Sequence, residues 1–158
     1  MKLKASLLGF FLLFALDSAN CQSKKMLVRT LTGVKLMDLT GPTPVIGPQI
    51  AGFGGGSAEE ELNIMTDVSN NILFMTACDN SNVIRVLTST YTLMPNGLIR
   101  GDASSLESAI CKIPCTTDQF YFFNFVMDAA TLRDSLFYSI IDMSLNGGLG
   151  AVTQKNVY

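Results

Sequence analysis

The sequence predicts a mainly β chain, an antiparallel meander of sandwich-like form, with two helical elements. The alternative is an α+β arrangement. Three observations carry the prediction. Residues 72–100 hold two apolar, β-branched runs divided by turn clusters, which is the sequence form of a meander. Residues 118–127 hold Phe120, Phe122, Phe123 and Phe125 in one short run. Against these, residues 105–112 and 129–145 place apolar side chains at helical spacing.

Composition bounds the function classes. The chain has 158 residues, enough for one cored domain, and is 48% hydrophobic and 15% charged. Net charge is −2 and no basic run exceeds Lys24-Lys25, so no electrostatic footprint for nucleic acid or an anionic membrane surface is present. Histidine and tryptophan are absent. Without histidine, Ser-His-Asp and Cys-His catalysis and His-ligated metal sites are ruled out. The glycine-rich run 52–57 departs from dinucleotide and P-loop patterns. The carboxylates are scattered, and C-x-x-x-C at Cys111–Cys115 is not the redox C-x-x-C. No enzyme is expected, and no cofactor or metal.

In chain order, residues 1–21 read as a secretory signal peptide: Lys2 and Lys4, an apolar run from Leu7 to Leu16, then a polar stretch ending in small residues. The apolar run is too short to span a bilayer as a helix. Cleavage is expected after Cys21, or alternatively after Ser18. A secreted, extracellular protein with no remaining membrane anchor follows. Residues 22–40 suggest one strand or two, and 41–57 a Gly/Pro-rich flexible loop, with 22–57 read as an N-terminal segment. Residues 58–146 make the globular β-rich domain. Within it, Leu62, Ile64, Thr66 and Val68 alternate as a strand before the turn cluster Ser69-Asn70-Asn71.

In the central stretch, Asp79–Asn82 is a turn without the glycine and distal glutamate of a calcium loop. Pro95-Asn96-Gly97 predicts a hairpin turn. Ser104 and Glu107 form a capping box before a short helix near 105–112, stopped by Pro114. The phenylalanine run reads as a central strand covered on both faces, with a packed core as the default role of its rings. A functional role is also open to Phe120, Phe122, Phe123 and Phe125, as the lining of an apolar-ligand cavity. Leu132, Leu136, Phe137, Ile140 and Met143 form one stripe of a C-terminal helix over 129–145, although 136–145 also suits a strand. Residues 147–158 read as a flexible tail.

Cleavage after Cys21 leaves Cys78, Cys111 and Cys115. In an oxidising compartment the expected disulfide joins Cys78 to Cys111 or Cys115, and an odd thiol leaves a covalent dimer open. Function is then expected to be non-catalytic binding or structural work with an extracellular protein partner, or alternatively carriage of a small apolar ligand.

Overall fold

The computed structural model describes residues 24–30, 33–50, 60–78, 82–101, 108–128 and 133–158. Residues 1–21, read above as a signal peptide, residues 51–59 of the glycine-rich run and Asp79–Ser81 of the predicted turn lie outside these residues.

Among these residues, eleven strands form three antiparallel sheets, each a meander in chain order. The first sheet holds β1 (Lys25–Thr30), β2 (Gly33–Asp38) and β3 (Val45–Gln49). The second holds β4 (Glu60–Thr66), β5 (Ile72–Cys78), β6 (Val83–Thr88) and β7 (Leu93–Arg100). The third holds β8 (Ser108–Lys112), β9 (Gln119–Asp128), β10 (Arg133–Asp142) and β11 (Ala151–Val157), in the order β11-β10-β9-β8.

The second sheet is the middle layer, and alternation along β5 explains why. Side chains of a strand point to opposite faces in turn. Phe74 and Cys78 join a core with Phe120 and Phe122 of β9, Ile141 of β10 and Val152 of β11. Met75 and Ala77, between them in sequence, join Leu27, Val34 and Ile50 of the first sheet. β5 is therefore the strand covered on both faces, and Phe74 through Cys78 are all buried. The second and third sheets are tied along both flanks. Asn63 on β4 donates to Ser108 on β8 at 2.7 Å. On the other flank, the Arg100 N–H of β7 donates to Asn156 Oδ1 of β11 at 2.9 Å.

Both predicted helices are strands. Residues 108–112 pair with β9 as β8, from Ser108↔Asn124 to Lys112↔Phe120, while residues 105–107 lie outside the described set. Residues 133–142 pair with β9 along their whole length as β10, and 129–132 again lie outside. The helical stripe at Leu136, Phe137 and Ile140 coexisted with a period-2 pattern. Ten consecutive partners on β9 decide between them, because pairing and tertiary packing override local propensity.

Three other expectations change. The loop 41–57 contains β3, which pairs with β2, and Ile50 behind it is buried, its N–H donating to the Val34 carbonyl at 2.9 Å. The tail 147–158 contains β11, with Val152 in the core, after a 3-10 turn at Asn146–Gly148. Pro95-Asn96-Gly97 lies inside β7. The β6–β7 turn falls instead at Thr88–Thr92, where Tyr91 takes φ 64° and the Thr88 N–H donates to the Thr92 carbonyl at 2.8 Å. The Thr88 hydroxyl bonds those of Thr90 and Thr92 at 2.9 and 2.8 Å, closing the turn with side chains. Asn96, at φ 58°, then makes a bulge between the pairs Leu87↔Leu93 and Arg85↔Leu98. Gly97 belongs to that bulge: a Cβ there would come within 2.7 Å of the Met94 and Val86 carbonyl oxygens.

By contrast, the strand expected from Leu62, Ile64, Thr66 and Val68 is present as far as Thr66, while Val68 lies in the turn that follows and is fully exposed. The Asp67 carboxylate accepts the Ser69 and Asn71 N–H groups at 2.9 and 2.8 Å, an Asx-type closure.

Candidate functional site: the outer face of the third sheet

β9 divides its aromatic residues between two environments. Phe120 and Phe122 point inward and are 5% and 0% exposed. Phe120 meets Phe74 edge-to-face, with ring centroids 5.4 Å apart. Tyr121, Phe123 and Phe125 occupy the alternate positions and are half-buried on the outer face. The four phenylalanines named as cavity lining thus do not share one space. One pair belongs to the closed core, the other to the surface. The expectation that the strand is covered on both faces fails for the same reason. Its outer side chains cover one another, and no described strand lies over them.

Register builds the outer face row by row. Ala109, Phe123, Tyr138 and Val157 form one row across β8, β9, β10 and β11. Cys111, Tyr121, Ile140 and Gln154 form the next. Phe125 stands opposite Leu136, and Met127 opposite Asp134. Tyr121 sits 5.5 Å from Phe123 and 5.7 Å from Tyr138, centroid to centroid, and Phe123 sits 6.4 Å from Tyr138. Leu136 is 47% exposed beside them.

The ring geometry limits what the face can hold. Interplanar angles of 39°, 86° and 51° give a corrugated surface, not the flat platform on which a sugar ring stacks. No lysine or arginine occupies an outer position of the third sheet among the described residues. An anion therefore meets no counter-charge there. At one end of the face lies exposed Asp134. At the other, Asp142 accepts from the Ser144 hydroxyl at 2.6 Å, the Ser144 N–H at 2.9 Å and the Gln119 amide at 2.8 Å. The Ser144 hydroxyl first, and then Gln119, hold its carboxyl below the ordinary aspartate value of 3.8. These bonds fix Asp142 in place as a structural corner where β10 ends.

The cysteines are dispersed. No disulfide joins Cys78, Cys111 and Cys115, which corrects the expected pairing of Cys78 with either of the others. Cys78 is sealed in the core beside Gly101, where an added Cβ would come within 2.8 Å of its sulfur. Cys111 is exposed, and its register with Tyr121 sets it on the far side of the third sheet. Cys115 is exposed in the β8–β9 connection, at the Phe120 end of the sandwich. Phe120 packs on Phe74, and Cys78 lies four residues further along β5, roughly 13 Å away at strand rise.

Among the described residues no cluster of three His, Cys, Asp or Glu side chains forms that could hold a metal ion. No helix there is long and apolar enough to cross a membrane. No family model, curated protein or solved structure matches the chain.

Sequence reasoning found Phe123 and Phe125 but missed Tyr121, Leu136, Tyr138 and Ile140. Because β9 is aromatic on both faces, alternation could not show which face was which. The signal available was Asn124, whose amide needs a buried partner if it faces inward. The β10 residues were hidden by the helical reading, which placed Leu136 and Ile140 on the same core-facing stripe as Phe137.

Proposed function

We propose that the chain is a secreted, extracellular, non-catalytic binding protein that docks another protein on the outer face of its third sheet. One observation carries this reading: Tyr121, Phe123, Leu136, Tyr138 and Ile140 share a solvent-facing sheet surface that nothing described covers. A contiguous apolar patch of this kind marks interaction surfaces, and tyrosine and phenylalanine are enriched in them. The corrugated rings and the lack of a cation favour a protein over a saccharide or an anion. The partner surface is an apolar protrusion flanked by a basic side chain that meets Asp134. Secretion rests on the leader-like residues 1–21. Carriage of an apolar ligand has weaker support, since Phe120 and Phe122 are separated from Phe123 and Phe125 by the sheet itself.

Site-directed photo-crosslinking tests the proposal. A benzophenone amino acid replaces Leu136 and the protein is irradiated in its native secretion. A discrete protein adduct is expected, abolished by Tyr138→Ser with Phe123→Ser. The same probe at Val45, exposed on the first sheet, is expected to give no adduct of that mass. No adduct from position 136, or one indifferent to the serine substitutions, sinks the reading.

A further inference from the structure

Among the described residues, the core between the second and third sheets holds two polar features: Ser139, whose hydroxyl accepts the Asn156 N–H at 3.3 Å, and one polar row. Thr76 of β5 stands opposite Asn63 of β4. Asn63 Nδ2 donates to Ser108 Oγ of β8 at 2.7 Å, and Ser108 stands opposite Asn124 of β9. The row thus runs from the middle of one sheet, across the flank, to the middle of the other. Thr76 and Asn124 are both 0% exposed, and among the described residues Thr76 Oγ1 and Asn124 Oδ1 find no hydrogen-bond partner. The Asn124 amide has only one workable orientation. Its Nδ2 donates to the Arg100 carbonyl at 2.9 Å, and a flipped amide would set oxygen against oxygen. Oδ1 is therefore fixed as an acceptor inside the core, where an unmet polar atom is costly.

We infer that one internal water molecule is bound between the two sheets, bridging Thr76 Oγ1 and Asn124 Oδ1. Facing sheets stand about 10 Å apart, a distance that phenylalanine side chains fill and that threonine and asparagine do not. The row contains no charged side chain, so its occupant is neutral. The water donates to Asn124 Oδ1 and accepts the Thr76 hydroxyl proton. Ser108 Oγ supplies the third partner usual for a buried water. The bridge would add to the Asn124–Arg100 hydrogen bond a second directional link, fixing the position of β5 against β9.

A crystal structure at a resolution that shows ordered water is the test, read together with the urea unfolding of Thr76→Val, which keeps the side-chain shape and removes the hydroxyl. A density peak within hydrogen-bonding distance of both oxygens is expected, and the variant is expected to raise the unfolding equilibrium constant about fivefold. The density decides the matter even if the variant fails to fold. An empty site, or a direct Thr76–Asn124 hydrogen bond in its place, overturns the inference. A variant as stable as the parent or more so counts the same way, because it would mean that the hydroxyl was unmet from the start.

Discussion

The two faces of β9 are built from nearly the same residue types and do opposite things. Inward, Phe120 and Phe122 lock into Phe74, Ile141 and Val152 and hold two sheets together. Outward, Tyr121 and Phe123 touch each other and Tyr138, and then meet solvent. The difference between a core face and an exposed face is set here by what the neighbouring sheet covers, and residue identity does little to announce it. On the inner face, removing a ring leaves a hole. On the outer face, it leaves a smoother surface.

Paired substitutions break or sharpen this contrast. Phe122→Ala is expected to cost about 3–5 kcal/mol, the range for buried phenylalanine, with a matching fall in the urea midpoint. Phe123→Ala, one residue on, is expected to cost about 1 kcal/mol or less, in line with a half-covered side chain. Equal losses for the two would mean that the outer face is a second core.

A smaller effect, of the opposite sign, is expected at the β8–β9 turn. Cys115 adopts φ 62° after Pro114, and the Thr116 N–H donates to the Ile113 carbonyl at 3.2 Å. A positive φ behind proline defines the third position of a type II turn, where glycine is the relaxed choice. Cys115→Gly is expected to stabilise the fold by up to about 1 kcal/mol, read as a rise in Tm. Since Cys115 lies beyond the aromatic rows, partner adducts at Leu136 should be unchanged.

The mildest expected effect is a pH dependence at the corner below the face. The Asp142 carboxyl is held below 3.8 by the Ser144 hydroxyl and Gln119. Its stabilisation is therefore complete above that value and is lost as pH falls through the lower folded value. Asp142→Asn is expected to flatten the fall in urea midpoint below pH 4. An unchanged slope would mean that those hydrogen bonds do not favour the ionised form.

Much of the β-architecture was legible, and the errors have definite physical causes. Alternation at Leu62, Ile64 and Thr66 gave β4, and the Asp67–Asn71 turn was marked by residues that bond their own backbone. The helices predicted at 105–112 and 129–145 came from apolar spacings that fit both periods, and strand pairing to β9 settled them. The Pro95-Asn96-Gly97 signal was a real requirement for unusual backbone, since Asn96 has φ 58° and Gly97 tolerates no Cβ. It marked a bulge and not a chain reversal, a distinction that depends on the partner strand. The outer face of the third sheet was the least legible feature, because it is assembled from β8, β9, β10 and β11. Only the register of all four puts Cys111, Tyr121, Ile140 and Gln154 in one line.

That line supplies the most direct measurement of the central claim. Cys111 lies within the face and Cys115 beyond it, and both are exposed, so each protein molecule carries its own reference. Alkylation rates at the two thiols would be compared between purified protein and protein in its native secretion, with mass-spectrometric readout. A partner docked on the face is expected to slow Cys111 at least tenfold while leaving Cys115 unchanged. Equal rates at Cys111 in the two conditions would contradict the assignment of this face as the binding surface.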